Sequence, residues 1–392
     1  MSRGGCSRHG TTGTDQRKRG GMRSLSIVLD HAEPGSRIRF RSTVVPLVLP
    51  GGKVLFFAGS QPLRAAADPL LWSLVEKLRI GHESSAIVGA VTAEGHDRAT
   101  VISALEQLHA RGLLFEERPA EVRSYGERYA RQLDMFGGAE TDENSRFTMQ
   151  DNVSSAHIAQ IGLGGLGTWI ALALAPTGVG RLTLIDGDTV ARSNLNRQIL
   201  YREDAVGRPK VEAAARRLAE VNPDLVVDPR AGFVEGVESA NALVPDCDLL
   251  IVSADEPFLR IRNWITEVCH ERRIPHLFVA AGGVGPLVLP GGAQACWRCL
   301  EIRTRSTFPE LDQVVELLAS ARRPRHPQPI TPGYHPLMAG VVVLEAVRHC
   351  SGFERPRTIG AQLVWDAGSS TMRRTEIAPN PACPNHAGPA TS

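Results

Sequence analysis

Three groups of residues in this chain have types and spacings that could do chemistry. The first begins at Ile161-Gly162-Leu163-Gly164-Gly165-Leu166-Gly167, continues at Asp186-Gly187-Asp188, and runs through Ser193-Asn194-Leu195-Asn196-Arg197-Gln198 to Lys210. A glycine turn lets backbone N–H groups approach a phosphate at a helix N-terminus. An acid roughly twenty residues later, at the end of the next strand, stands where a ribose hydroxyl would be read. The glycine run alone is weak evidence, because many dinucleotide enzymes carry one. Two cations, Arg197 and Lys210, facing a glycine-lined anion hole suit a triphosphate better than a pyrophosphate.

The second group is Cys296-x-x-Cys299 with Cys383-x-x-His386. Two such pairs can close a tetrahedral zinc site with no open catalytic position. The third is Arg128-Tyr129-Ala130-Arg131-Gln132, which by composition alone reads as a solvated amphipathic helix. The remaining cysteines of the seven, Cys6, Cys247, Cys269 and Cys350, stand alone. An odd, scattered set in a long chain is no secreted disulfide framework and points to a reducing compartment, so the expected location is the cytoplasm.

The elements that must position these groups fall into segments. The chain has 392 residues and a formal net charge of +2, which gives no global argument for nucleic acid or membrane binding. No apolar run approaches a membrane span. Residues 1–36 are expected to be a disordered tail, with Met22 an alternative start. Over 37–118, strands at 37–40, 44–49 and 53–57 precede a helix opened by Asp68-Pro69, where Asp caps and Pro costs no hydrogen bond. Leu70, Leu71, Leu74, Val75 and Leu78 give that helix one apolar face. A short helix is expected over 84–91. Another, bearing Val101, Leu105 and Leu108, stops at Gly112, and a wing strand follows at 113–115. Residues 119–147 read as a linker plus one helix. From 148 to about 290, strands at 153–161, 181–185, 225–227, 248–253 and 277–280 alternate with helices. That order predicts an α/β fold with a mainly parallel, Rossmann-like sheet covered on both faces. Ligands bind such sheets at the carboxyl ends of strands, where Asp186 and Asp255 both fall.

From about residue 125 to the C-terminus, the order of these motifs resembles the ThiF/MoeB adenylating superfamily, which includes the ubiquitin-activating enzymes. The resemblance implies that Gly162, Gly164, Gly165, Gly167 and Asp186 hold ATP. It implies that Ser193, Asn194, Arg197 and Gln198 surround ribose and phosphates, and Asp188 and Asn196 are counted in the same nucleotide site. Lys210 would contact phosphates and Asp255 would help place magnesium. Arg131 would reach ATP across a homodimer interface, which replaces the amphipathic-helix reading. Arg197, Lys210, Asp255 and Arg131 form the expected catalytic set. Relatives usually carry Asn where Glu256 follows Asp255, and cysteine where His386 completes the zinc ligands. Members that form a thioester or persulfide carry a cysteine in the crossover loop, and residues 301–336 contain none.

The strand–helix order of 37–118 is a small winged-helix arrangement and resembles the PqqD-like peptide-recognition element of ribosomal-peptide biosynthesis. That resemblance implies a precursor's leader segment added as a strand to a sheet edge. DNA binding is the competing use of the fold, but residues 101–111 offer Glu106 rather than a basic recognition helix. A purely structural or dimerisation role also stays open. The functional expectation is an ATP-dependent enzyme that adenylates a carboxyl or amide oxygen of a leader-bound precursor peptide in bacteriocin-type biosynthesis. The alternatives are a leader-delivering partner of a YcaO-type cyclodehydratase without turnover of its own, and a sulfur-carrier adenylyltransferase. A nicotinamide enzyme is disfavoured because it has no use for the SNLNRQ loop.

Overall fold

The computed structural model describes residues 34–41, 43–50, 52–57, 62–66, 68–117, 127–141, 144–280, 282–319 and 333–385. They divide into two units, residues 1–122 with 140–145, and 123–139 with 146–392.

In the first unit, β1 (Arg37–Phe40) lies between β5 (His82–Glu83) and β6 (Leu114–Glu117), antiparallel to both. A second antiparallel sheet joins β2 (Val45–Leu49), β3 (Lys53–Phe57) and β4 (Pro62–Ala66). Helices α1 (Pro69–Ile80), α2 (Ile87–Thr92) and α3 (Arg98–Ala110) stand between the strands in sequence. Asp68 caps α1 by accepting from Leu71 N at 2.7 Å, and Asp97 caps α3 through Thr100 N at 2.9 Å. Leu74, Leu78, Ile87, Val101 and Leu105 are fully buried together with Ile38, and this is the core of the unit. The expected helix over 84–91 is shorter and later, because Ser84 and Ala86 form a turn that hydrogen-bonds back to Ser36 O and Glu83 O. β4 was not anticipated, since Pro62 and Arg64 hide its pairing with β3.

The second unit opens with α4 (Ala130–Gly137) and α5 (Arg146–Ser155). The strand expected from 153 begins only at His157, and residues 146–155 are helical instead. Met149 and Val153, four residues apart, are buried on one face of that helix. The sheet has eight strands in the order β14-β13-β12-β11-β10-β7-β8-β9. Its parallel part comprises β7 (His157–Ile161), β8 (Arg181–Ile185), β9 (Val226–Arg230), β10 (Leu249–Val252) and β11 (His276–Ala280). Strand β10 shows why a near-continuous apolar run is needed: Leu249 and Ile251 enter one core, Leu250 and Val252 the other. Helices α6 (Gly165–Leu174), α7 (Lys210–Val221), α8 (Val237–Leu243) and α9 (Arg260–Glu271) connect the parallel strands. Antiparallel β12 (Gly283–Val288), β13 (Ala361–Asp366) and β14 (Thr371–Glu376) extend the sheet beyond the sequence expectation. Before β13 come α10 (Trp297–Thr307), α11 (Leu311–Ala319) and α12 (Tyr334–Ser351). Chain order reverses between β7 and β10, so a crevice opens at their carboxyl ends. Among the described residues, no helix is long and apolar enough to cross a membrane.

Candidate functional site

The glycine turn sits at that crevice, and its four glycines serve different ends. Gly162 has φ +95°, and a Cβ there would lie 2.7 Å from Ala254 N in the loop after β10. A Cβ on Gly167 would lie 2.1 Å from Gly162 O. These two glycines therefore let the turn close on itself and on its neighbour. Gln160 Nε2 donates to Gly162 O at 3.0 Å and Gly167 O at 2.8 Å, and Ser253 Oγ donates to Gly162 O at 2.9 Å. Gly164, by contrast, has no heavy atom within 4 Å of its Cβ position. Gly165 has a neighbour there: His335 Nε2 would be 2.6 Å away. The N–H groups in the first turn of α6 have no acceptor within the helix and leave partial positive charge at this end.

Asp186, at the end of β8, is half-buried and accepts from Leu163 N at 2.6 Å and Asp188 N at 2.9 Å. It ties the glycine turn to the next loop, and each oxygen keeps a second lone pair for a hydroxyl. Lys210, the first residue of α7, is only 5% exposed, and its Nζ meets Asp188 Oδ2 at 2.8 Å while Asp188 stays exposed. Tyr201 OH donates to Leu163 O at 3.1 Å, and burial with Asp186 and Asp188 nearby raises its hydroxyl pKa. Arg197 is half-buried, with Nη1 on Ser193 O at 2.8 Å and Asn196 Oδ1 at 3.0 Å. Trp169 Nε1 of α6 donates to Arg197 O at 3.2 Å, which fastens the SNLNRQ loop to the helix behind the glycine turn. Asn194 Oδ1 accepts from Ala191 N at 2.9 Å and braces the same loop. Gln198 is 3% exposed and its Oε1 is buried without a partner.

Asp255 and Glu256 are exposed just beyond β10. Within electrostatic reach of Asp255 is a residue that sequence reasoning passed over, Arg262 on α9. Its guanidinium stacks 4.6 Å from the Trp297 ring and 5.8 Å from Phe278. Burial pulls its pKa down to about 10 against the pull of Asp255, so it stays cationic at neutral pH. His335, the second residue of α12, was also missed. It is 4% exposed, and its Nδ1 is buried without a partner. Burial first and Arg197 second hold its pKa below the usual histidine value.

The RYARQ segment separates into anchors and one outward cation. Arg128 Nη1 donates to Val221 O at 3.3 Å, Tyr129 OH accepts from Asn222 Nδ2 at 3.2 Å, and Gln132 Nε2 donates to Thr177 O at 2.7 Å. Arg131 is exposed, and no hydrogen bond or ion pair within the described residues brings it to the glycine turn.

Cys296, Cys299 and Cys383 are fully buried and gathered within 4.8 Å of one another. Their sulfurs are 4.0 Å apart for Cys296–Cys299 and 3.6 Å for Cys296–Cys383. Sulfurs held tetrahedrally around one ion at ~2.3 Å stand ~3.8 Å apart, so the donor set and spacing fit zinc. Asn380 N and Asn385 Nδ2 donate to Cys299 and Cys296 sulfurs at 3.3 and 3.4 Å. His386 lies outside the described residues. Burial pushes Cys247 and Cys350 up to about 12, so neither has the low pKa of a nucleophile.

The sequence profile described as "ThiF family" matches residues 129–385. Molybdopterin-synthase adenylyltransferase of Escherichia coli is 28% identical over 263 residues, covering 65% of this chain and 94% of the relative. The sulfur carrier protein ThiS adenylyltransferase of the same organism is 31% identical over 238 residues, covering 60% and 87%. Among solved structures, E. coli MccB with ATP superimposes with a TM-score of 0.71 at 20% identity, over 89% of this chain and 99% of the other. The microcin C7 biosynthetic enzyme MccB in complex with N-formylated MccA gives the same TM-score, identity and coverage. At that identity the likeness is one of fold.

Proposed function

This chain belongs to the ThiF family, and we propose that it is an ATP-dependent adenylyltransferase acting on a carboxyl or amide oxygen of a precursor peptide. The observation that carries the adenylation reading is the crevice itself. Asp186 is tied to Leu163 of the glycine turn and to Asp188, Lys210 pairs with Asp188, and half-buried Arg197 acts on His335, whose ring lies against Gly165 at the start of α6. In the reaction a carboxylate oxygen of the substrate bonds to the α-phosphorus, the bond from that phosphorus to the α–β bridging oxygen breaks, and pyrophosphate leaves. The protein's work is to hold the line of attack and to neutralise charge on the departing group. Lys210 and Arg197 supply fixed cations, and backbone N–H groups at α6 supply directed dipoles. Asp255 would hold magnesium, which supplies further charge neutralisation on the phosphates. Arg262 adds a buried cation within electrostatic reach of Asp255. Arg131, exposed while its neighbours are anchored, suits contribution to ATP in a second copy of the chain.

The peptide part of the proposal is supported by reach. The curated relatives above match 60–65% of this chain, whereas the MccB fold covers 89%, more than the second unit alone contains. The first unit would take the leader segment, and β2 to β4 carry exposed Val45, Leu47, Leu49, Phe57 and Leu63 that suit an apolar strand or helix partner. Cys296, Cys299 and Cys383, completed by His386, would hold a structural zinc that ties the start of α10 to the segment after β14. Direct capture of the adenylate fits the described cysteines, three of them gathered at one point and the other three with thiol pKa values raised by burial. The test is ATP–pyrophosphate exchange, expected only with a precursor peptide that retains its leader. Exchange driven instead by a free carrier protein ending in Gly-Gly would identify a sulfur-carrier activator. ATP binding without exchange, coupled to stimulation of a cyclodehydratase, would identify a delivery protein.

A further inference from the structure

His335 lies where the nucleotide reading needs a ligand and where no sequence motif pointed. It is the second residue of α12, the helix packed along α6, and Pro336 follows it in the first helical turn. Its ring lies against Gly165, the first residue of α6: a Cβ there would be 2.6 Å from Nε2 and 2.8 Å from Cε1. Gly165 has no positive φ, so glycine is required at this place for room rather than for conformation. The imidazole thus occupies the space that any other side chain at the helix start would fill. It is 96% covered in the sense that only 4% of the residue is exposed, and Nδ1 has no hydrogen-bond partner. A buried polar atom without a partner costs free energy that folding alone does not recover. The groups around it are the unsatisfied N–H donors of the α6 first turn and the Arg197 cation, all suited to an anion.

Resting on the adenylyltransferase reading, we propose that His335 is a substrate-binding residue that donates an imidazole N–H to the triphosphate of ATP at the N-terminus of α6. The lowered pKa from burial and Arg197 is consistent with this role. The ring is neutral at neutral pH, keeps one N–H donor, and adds no third charge beside Arg197 and Lys210.

The test compares wild type, His335→Leu and His335→Gln in the full chain. Dissociation constants are measured for a non-hydrolysable ATP analogue and for adenosine. His335→Leu is expected to weaken the analogue by roughly ten-fold or more while moving adenosine by less than about two-fold, and His335→Gln, which keeps an N–H donor, to stay within about three-fold of wild type. Equal loss for analogue and adenosine, or no loss, overturns the proposal. If His335→Leu does not fold, the wild-type imidazole nitrogen resonance, assigned by its absence from His335→Gln, decides. A shift with the analogue and none with adenosine supports the contact, and no shift overturns it. Wild type that fails to bind the analogue overturns the adenylyltransferase reading as well, whereas binding unaffected by His335→Leu overturns this inference alone.

Discussion

Two alanine substitutions three residues apart in the glycine turn are expected to fail in opposite ways. In Gly167→Ala the new Cβ would stand 2.1 Å from Gly162 O and 2.9 Å from both the Gly162 carbonyl carbon and Ser253 Oγ. Backbone must move by about an ångström to reach an ordinary contact. Gly162 O cannot move freely, because Gln160 Nε2 at 3.0 Å and Ser253 Oγ at 2.9 Å both hold it. Overpacking costs about 1–3 kcal/mol and each lost hydrogen bond about 1 kcal/mol, so the expected destabilisation is about 3–5 kcal/mol. Gly164→Ala meets no atom within 4 Å, and Gly164 has φ −74° and ψ −157°, extended backbone open to alanine. Its cost to stability is expected below about 1 kcal/mol. The same methyl group would stand in the space assigned to phosphate and is expected to weaken ATP binding by roughly ten-fold or more, the equivalent of about 1.4 kcal/mol. Urea unfolding gives the first quantity and titration with a non-hydrolysable ATP analogue the second. A stable Gly167→Ala would refute the packing argument. A Gly164→Ala protein that binds the analogue like wild type would refute the placement of the phosphates.

Lys210→Met is expected to separate function from stability. Its partner Asp188 is exposed and can be rehydrated, so unfolding free energy should change by about 1 kcal/mol or less, while exchange activity falls about 10²- to 10³-fold; a loss of stability large enough to explain the lost activity would make Lys210 structural. Purified protein is expected to carry one zinc per chain by elemental analysis. Cys383→Ser should weaken zinc retention beyond the roughly 10–100-fold that follows loss of a ligand's hydrogen-bond partner, and equal zinc content in the variant would sink the site. His276 is fully buried, and burial holds its pKa down to about 4. Because the folded value lies below the unfolded value of about 6.5, the neutral ring contributes fully above pH ~6.5 and its contribution is lost as pH falls toward 4, on the order of 3 kcal/mol. His276→Gln should flatten that part of the stability–pH curve measured by urea unfolding, and an unchanged slope would place the titration elsewhere.

Much of the parallel sheet was readable because buried strands announce themselves locally. The run Leu249 to Val252 must be apolar on both faces, and the glycine turn must follow a strand and open a helix. The 146–155 helix was obscured because its exposed and buried polar residues blur the period; Gln150 is buried, satisfied by Gln132 and accepted only in that packing. Strands β12 to β14 were not legible for a related reason. β14 carries Arg373 and Arg374 and is largely exposed, and its place depends on β13, which itself needs β12.

The amino-acid sequence by itself determined the kind of chemistry: the glycine turn, Asp186, the SNLNRQ loop, Lys210 and the cysteine pairs are set by residue type and short spacing. Tertiary structure alone decided the division of labour among them. Close approach of the loop after β10 makes Gly162 and Gly167 structural and leaves Gly164 open, while Asp188 pairs with Lys210 and Arg128 anchors beside exposed Arg131. It also brought in Arg262 and His335, from 7 and 170 residues beyond Asp255 and Gly165. The physical reason is that van der Waals contact and burial act between atoms adjacent in space. No local period records which helix will lie against Gly165.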